Sequence, residues 1–191
     1  MRILGIDPGL RSTGWGVIAC DDGRLRHIAS GAIQPNPTLA DADRLRIIFN
    51  ELGDVIAQHK PNQAAIEQIF VAKSASSALR LGMARGVGLL ICGVNGLAVS
   101  EISARAVKKA VAGTGTAEKK QVQDMVTRLL AVTAKNADAA DALAIAIAVS
   151  NDAGKLADAG VGSEKGGAAS GLSAAIAAAL ARDDAIKRGK T

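Results

Sequence analysis

The chain has 191 residues, of which 49% are hydrophobic and 21% charged, and its formal net charge is +5. This composition excludes disordered and collagen-like classes. The length suits one domain with a tail. Cys20 and Cys92 are too few and too far apart for a disulfide-rich secreted scaffold. The start has no signal-peptide pattern, and the longest apolar stretch, residues 87–99, is too short to span a bilayer. We therefore expect a soluble cytoplasmic protein.

The first part of the chain predicts three strands. Residues 2–6 and 25–33 are largely apolar, and residues 13–19 alternate glycine with larger side chains. The first strand stops at the turn signal Asp7-Pro8-Gly9. Because the connections are short, the three strands should form an antiparallel meander.

Helices and strands alternate after residue 38. Apolar residues at helical spacing predict helices over residues 39–58, 74–91, 104–111, 118–130 and 137–149. Ser74, Thr116 and Asn136 are the expected N-caps. Further strands are predicted over 63–70 and 97–102. The order indicates an α/β fold, with a mixed five-stranded sheet that has an antiparallel edge and is flanked by helices.

The composition changes near residue 152. Residues 160–171 are rich in Gly, Ser, Ala and Lys, and residues 174–187 are rich in alanine. We predict a folded domain over residues 1–152. Residues 153–191 should form a linker and tail that are partly disordered or loosely helical.

Positive charge is concentrated in the middle of the chain. Residues 68–100 contain Lys73, Arg80 and Arg85 and no acidic residue. Residues 102–135 carry seven basic side chains against two acidic ones. Any single lysine is most simply a solvated helix residue. The cluster as a whole favours a nucleic-acid partner.

Four acidic residues stand out in apolar surroundings. Asp7 ends the first strand, and Glu67 lies in the middle of the fourth, where an unpaired carboxylate is costly to bury. Asp138 and Asp141 are three residues apart, so they share one face of the last helix. Taken singly, Asp7 is equally well a turn residue and Asp138 a helix N-terminal acid.

Together the four carboxylates predict a metal site. Clustered carboxylates repel one another unless a cation neutralises them, and Mg²⁺ prefers oxygen ligands. Two such ions can activate water and stabilise the leaving oxygen of a phosphodiester. His27 and His59 are isolated, which argues against zinc. The absence of a G-x-x-x-x-G-K-[ST] motif argues against a P-loop ATPase.

Five ordered blocks of the sequence match a known family. In chain order they are Ile3–Gly9 with Thr13–Val17, Ala65–Phe70, Ser77–Gly82 with Ala84–Val87, Gly113–Lys119 without Thr116, and Asp138–Ala144. In these blocks, and in their spacing over about residues 1–150, the chain resembles the RuvC-type Holliday junction resolvases. The tail resembles nothing recognisable.

The resemblance implies a ribonuclease-H-like fold and a homodimer. Each subunit would nick one of two opposed strands of a four-way DNA junction during homologous recombination and DNA repair. The partners would be four-way junction DNA and a branch-migration helicase complex of the RuvA and RuvB type. The cofactor would be Mg²⁺, two ions per subunit, with Mn²⁺ as a substitute.

The resemblance also assigns residue roles. Asp7, Glu67, Asp138 and Asp141 match the family's metal-binding catalytic acids. The positions of Lys108 and Lys119 match lysines that serve DNA binding and catalysis there, and Phe70 matches an aromatic that contacts bases near the crossover.

The basic residues have a plausible physical role beside this set. Lys73, Arg80 and Arg85 are expected to follow the DNA backbone. An exposed ring at Phe70 beside basic residues would stack on unpaired bases. The alternative is that Phe70 is a core residue at the end of its strand.

The sequence departs from the family pattern at two places. Ile102-Ser103-Ala104 stands where Tyr-x-Pro is common, and Ser74 stands where Asn is common, which puts local DNA contacts and sequence preference in doubt. Two alternatives stay open: a non-catalytic junction-binding module, and an RNase-H-like nuclease acting on another nucleic acid. An actin-like ATP-binding protein would need a second phosphate loop and a longer chain.

Overall fold

The computed structural model describes residues 1–158 except 22 and 70–73, with backbone only for residues 151–158. Five strands form one sheet in the order β3-β2-β1-β4-β5. They are β1 (Arg2–Asp7), β2 (Thr13–Asp21), β3 (Arg24–Ile33), β4 (Gln63–Glu67) and β5 (Ala98–Ile102). Strands β1, β2 and β3 pair antiparallel, whereas β4 is parallel to β1 and to β5. The predicted mixed sheet and antiparallel meander are confirmed.

Helices cover both faces of the sheet. They are α1 (Asp41–His59), α2 (Ala75–Val94), α3 (Ala104–Ala112), α4 (Lys119–Leu130) and α5 (Ala137–Asp158). Because side chains alternate along a strand, Ile3 packs with α3, α4 and α5, while Leu4 packs with α1 and α2. The sheet therefore separates two buried apolar layers.

Helix α5 continues past the predicted domain boundary. It ends at Asp158, and the boundary was expected at residue 152. The rest of the predicted tail lies outside the described residues. The division into domain and tail therefore stays a prediction.

Two predicted N-caps are confirmed and one is wrong. The Ser74 hydroxyl accepts the Ser77 N–H, and the Asn136 side chain accepts the Ala139 N–H. Helix α4 is capped by Glu118 rather than by Thr116. Glu118 makes reciprocal side-chain and backbone bonds with Gln121, and this capping box satisfies two N–H groups that a cap at Thr116 would leave open.

Strand β4 is shorter than predicted. It ends at Glu67, which pairs with the last residue of β5, Ile102. Glu67 therefore lies at the end of its strand, and its prediction as a mid-strand residue is wrong. The sequence continues as Gln68-Ile69-Phe70, which is apolar enough to resemble a longer strand, but β5 offers no partner beyond Ile102 in the described sheet.

Helix α2 is a longer apolar segment than the sequence predicted. Among the described helices, α2 is the one that is long and apolar enough to cross a membrane. It has 20 residues, and 22% of an 18-residue apolar segment within it is buried. The apolar stretch predicted from the sequence began at residue 87 and left out the first three turns of α2. Length and composition alone are weak evidence, and α2 packs against α1 and the sheet through Ala84, Ile91 and Cys92.

Candidate metal centre

Glycines in β1 and β2 allow helix α5 to rest on the backbone of the sheet. A Cβ added to Gly5 would lie 2.0 Å from the carbonyl oxygen of Ala142, and one added to Gly14 would lie 2.1 Å from the carbonyl oxygen of Asp138. Real Cβ atoms do not approach backbone this closely, so both positions require glycine. Gly14 also pairs with Asp7 across β1 and β2. The first turn of α5 is therefore held beside the end of β1.

Three of the four predicted acids converge at this place. Asp7, Asp138 and Asp141 each offer a carboxylate oxygen, and these oxygens lie within 4.8 Å of one another. The first comes from a strand end, and the other two come from the first turns of α5, whose N-terminus favours negative charge. Oxygen donors at this spacing suit a hard divalent cation.

Glu67 lies beside this group but is not one of its three members. Ile6 and Ile66 are register partners that face the α1 and α2 layer. Alternation along the strands then turns the next residues, Asp7 and Glu67, towards the α5 layer. Glu67 lines a cavity of about 250 Å³ together with Asp141. The fourth acid is therefore placed at the edge of the site.

The carboxylates strongly influence one another. Burial and the negative charges of Glu67, Asp141 and Asp138 raise the pKa of Asp7 from 3.8 to about 7. Burial and the charge of Asp141 also raise the pKa of Glu67. A group that resists ionisation for these reasons gains most from a bound cation, because the cation offsets both the burial and the repulsion. The acids present therefore fit a metal site.

Lys119 is paired with one of the acids. Its Nζ donates to Oδ2 of Asp141 at 2.5 Å, and this bond raises the lysine pKa. The lysine side chain is 60% exposed, whereas Asp141 is 25% exposed. Lys108 of α3 lines the same cavity as Lys119, Glu67 and Asp141. The site thus presents two ammonium groups beside its carboxylates, which is the charge pattern needed to hold a phosphate near a metal.

Comparison with known proteins identifies the family. The family model described as crossover junction endodeoxyribonuclease RuvC matches residues 3–149. The chain belongs to the RuvC family.

Individual relatives agree with this assignment. A crossover junction endodeoxyribonuclease RuvC from Maricaulis maris is 53% identical over 147 residues, covering 77% of this chain and 89% of the relative. The protein of the same name from Caulobacter vibrioides is 50% identical over 151 residues, covering 78% and 89%. The solved structure of T. thermophilus RuvC in complex with a Holliday junction substrate is 30% identical, has a TM-score of 0.73 and covers 78% of this chain and 92% of that one. The predicted ribonuclease-H-like fold is confirmed.

Arg80 and Arg85, two other predicted DNA contacts of this RuvC-family chain, lie in different surroundings. Arg80 lines a groove of about 830 Å³ together with Arg11 and Asp138. Arg85 forms an ion pair with Glu101, and its Nε donates to the carbonyl oxygen of Glu67 at 3.3 Å. Its guanidinium is therefore used within the protein, where it ties α2 to the ends of β4 and β5.

Two predicted contacts cannot be placed on the fold. Phe70 and Lys73 lie outside the described residues, so their roles stay predictions. The departure at Ile102-Ser103-Ala104 has a local account, because the Ser103 hydroxyl accepts the Ala106 N–H and caps α3. Helix α3, which carries Lys108, therefore begins without the proline common in the RuvC family.

One polar contact to the acids has no signal in the sequence. The Ser12 hydroxyl donates to Oδ2 of Asp138 at 2.5 Å, across 126 positions of the chain. A lone serine in a turn has no pattern that would single it out. The glycines beneath α5 did leave a signal, because glycine inside a strand indicates close approach of another backbone.

Proposed function

We propose that this chain is a structure-selective, metal-dependent DNA endonuclease that resolves four-way junctions by paired symmetric nicks, in homologous recombination and DNA repair. The observation that carries the proposal is the convergence of Asp7, Asp138 and Asp141 within 4.8 Å in a chain of the RuvC family. The solved relative bound to a Holliday junction supports the choice of substrate.

The proposed cofactor is Mg²⁺, with two ions per subunit and Mn²⁺ as a substitute. Asp7, Asp138 and Asp141 would hold one ion, and Glu67 would share in holding a second. Such ions would activate a water molecule and stabilise the leaving oxygen of the phosphodiester. The all-oxygen donor set favours Mg²⁺ and Mn²⁺ over softer metals.

The basic residues around the acids would hold the DNA. Lys119 already donates to Asp141 and is largely exposed, so its ammonium group can turn to a phosphate oxygen when a cation takes over the carboxylate. Lys108 lies across the same cavity. We propose that both stabilise phosphate charge during catalysis, while Arg80 contacts the DNA backbone in the groove that Asp138 also lines.

Three further DNA contacts are proposed on sequence grounds. Phe70 would stack on unpaired bases near the crossover, and Lys73 would contact the backbone close to it. The Arg85 side chain is 20% exposed, and this exposed part would contact a phosphate. The pairing of Arg85 with Glu101 makes it the weakest of the predicted DNA contacts.

A homodimer would place two such sites on one junction. The outer face of α2 carries an apolar strip along one side of the helix, formed by Leu79, Gly82, Gly86, Leu90 and Val94. The three large side chains are 67%, 58% and 67% exposed. Cβ atoms added to the two glycines would meet nothing within 4 Å in the described part of the chain. A second copy could therefore pack closely here.

The symmetry of the substrate supports this choice of partner. A two-fold dimer uses the same surface on both subunits and matches the two-fold symmetry of a four-way junction. We further propose, on the family resemblance, that the dimer acts in the cytoplasm beside a branch-migration helicase complex of the RuvA and RuvB type.

Cleavage of a synthetic mobile four-way junction tests the proposal. The protein is incubated with Mg²⁺ or EDTA, beside linear duplex DNA and an RNA–DNA hybrid. Paired nicks are expected in the junction and only with metal. Binding without cutting would instead indicate a junction-binding module, and cutting of the hybrid would mean that the nuclease acts on another nucleic acid.

Asp7→Asn is the decisive variant. It removes the negative charge of a proposed metal ligand while keeping the size of the side chain, so cleavage should fall by more than about 100-fold, the upper range for loss of an outer-shell partner. Junction binding in EDTA should be retained. Asp43→Asn is the control, because Asp43 is an exposed acid paired with Arg46 on α1. Loss of junction binding by a folded Asp7→Asn protein would contradict the assigned role.

A further inference from the structure

The hydrogen bond from Ser12 to Asp138 joins two distant parts of the fold. Ser12 lies in the loop between β1 and β2, directly after the strand that ends with Asp7. Its hydroxyl donates to Oδ2 of Asp138 at 2.5 Å, a short distance typical of a bond to a charged carboxylate. One loop therefore follows the first acid and contacts the second.

A second bond sets the direction of the hydroxyl proton. Nε2 of Gln34 donates to Oγ of Ser12 at 3.4 Å. A serine hydroxyl has one proton and two lone pairs. Because a lone pair receives the amide of Gln34, the proton is free to point at Asp138. Gln34 directly follows β3, so the end of a third strand contributes to the arrangement.

The loop that carries Ser12 is held at both ends. The Thr13 hydroxyl donates to the carbonyl oxygen of Gly9 at 2.8 Å and accepts the Gly9 N–H at 3.3 Å. Arg44 of α1 donates to the carbonyl oxygen of Leu10 at 3.0 Å, and its side chain is only 11% exposed. A loop fixed by these bonds can hold the Ser12 hydroxyl in one place.

We propose that Ser12 is a positioning residue that orients the Asp138 carboxylate for metal binding, with Gln34 fixing the hydroxyl of Ser12. The bond engages one lone pair of Asp138 Oδ2, and the carboxylate keeps further lone pairs that can bind a cation. Partners that orient a metal ligand in this way typically contribute about 10–100-fold in metal affinity or activity. The inference rests on the proposed metal-dependent function.

The neighbouring acid shows why a neutral donor matters. Asp141 is paired with the charged Lys119, whose ammonium competes with a cation for the same carboxylate. The Ser12 hydroxyl orients Asp138 without adding positive charge, so it does not oppose cation binding. The two acids of α5 therefore differ in role: Asp138 is held in position, and Asp141 exchanges partners.

A matched pair of substitutions isolates the hydroxyl. Ser12→Thr keeps it, and Ser12→Val has the same shape as threonine without it. Mn²⁺ binding to the DNA-free protein is measured from the electron paramagnetic resonance signal of free Mn²⁺. Ser12→Val should weaken Mn²⁺ binding by about 10-fold or more, whereas Ser12→Thr should stay close to the unchanged protein. The Mg²⁺ concentration for half-maximal junction cleavage should rise in parallel.

Controls separate positioning from general damage. Thr127→Val removes a hydroxyl that donates to the backbone carbonyl of Gln123 on α4, and it should leave Mn²⁺ binding unchanged. Ser12→Ala gives the same test without β-branching if Ser12→Val fails to fold, and thermal unfolding reports that failure.

The outcomes distinguish this inference from the proposed function. Equal Mn²⁺ affinity for Ser12→Thr and Ser12→Val, or for Ser12→Ala and the unchanged protein, would overturn the role of Ser12 alone. An unchanged protein that neither binds Mn²⁺ nor cuts the junction would overturn the proposed nuclease function as well.

Discussion

Helices α5 and α2 are both rich in small residues, yet they use them in opposite ways. Residues 142–150 of α5 are all buried, and its backbone lies against glycines of the sheet. Helix α2 buries Ala84, Gly88, Ile91 and Cys92 on one side and leaves Gly82 and Gly86 open on the other. Glycine on the sheet beneath a helix brings two backbones together, whereas glycine on the outer face of a helix leaves room for something else.

This difference separates the proposed metal site from the proposed dimer contact. Close packing fixes the direction of α5 and therefore the positions of Asp138 and Asp141 relative to Asp7. The open apolar face of α2 is free to contact a second copy without disturbing the acids. Small residues on a helix therefore indicate close packing only where another part of the chain faces them.

The largest effect is expected from Gly14→Ala, where β2 packs closely against α5. The new Cβ would lie 2.1 Å from the carbonyl oxygen of Asp138, so α5 must shift away from Asp7. Junction cleavage should fall by about 100-fold, because displacements near 1 Å can cost this much. The free energy of unfolding should fall by about 1–3 kcal/mol.

Gly53→Ala is the matched control for this change. Gly53 lies on α1, and a Cβ added to it would make an ordinary 3.5 Å contact with Ile91 of α2. Cleavage should therefore be unchanged. Full cleavage activity in Gly14→Ala, measured with saturating Mg²⁺, would show that α5 is not held as tightly as the contact implies.

The second largest effect is expected from Leu90→Glu, on the outer face of α2. Leu90 is 58% exposed in the subunit, so the fold should survive. In the proposed dimer, two glutamates brought together across a two-fold axis would repel each other, and the dimer dissociation constant should rise by about 10-fold or more. Sedimentation equilibrium measures the change. Leu129→Glu, at a 41% exposed position of α4, is the control and should leave the dimer intact.

A smaller effect is expected from Asp7→Asn on stability without metal. The folded pKa of Asp7 is about 7 against an ordinary 3.8, so its proton stabilises the folded protein at low pH. That contribution is lost as pH rises from about 4 to about 7. In EDTA near pH 8, Asp7→Asn should therefore be more stable than the unchanged protein by roughly 1–2 kcal/mol.

Urea unfolding at both ends of this pH range measures the effect. The advantage of Asp7→Asn should shrink towards pH 4, and added Mg²⁺ should stabilise the unchanged protein more than the variant. A stability difference that does not vary with pH would mean that the pKa of Asp7 is not raised in the folded protein.

The smallest effect is expected from Gly86→Ala, made in the Leu90→Glu background so that a dimer contact does not interfere. Nothing among the described residues lies within 4 Å of the new Cβ. The variant should gain roughly 0.5–1 kcal/mol, the difference between alanine and glycine inside a helix. Thermal unfolding measures it. A loss of stability would show that the outer face of α2 is more crowded than the structure indicates.

Much of the fold could be predicted because it depends on local pattern. Alternation and turn signals located β1, β2 and β3, and helical spacing located the five helices. The convergence of Asp7 with Asp138 and Asp141 was also predictable, because acids in otherwise apolar segments need a shared reason to be there. These inferences use residue type and spacing, which the sequence displays directly.

The parts that could not be predicted depend on contacts between distant segments. The end of β4 at Glu67 is set by the end of β5 at Ile102, and no property of residues 63–70 reveals it. Ser12 contacts Asp138 only because α5 packs on β2. The capping of α4 by Glu118 was visible in principle, since Gln121 follows three residues later.

The distance along the chain between the acids also has a consequence for the timing of synthesis. Asp7 and Asp141 are separated by 134 positions (141 minus 7) and meet only when α5 lies on the sheet. During translation the N-terminal residues leave the ribosome first, and a domain generally folds as one unit. A nascent chain that has emerged as far as α4 holds Asp7 and Glu67 but not the remaining acids. The nuclease would thus stay inert beside the nucleic acids around the ribosome until nearly the whole domain has been made.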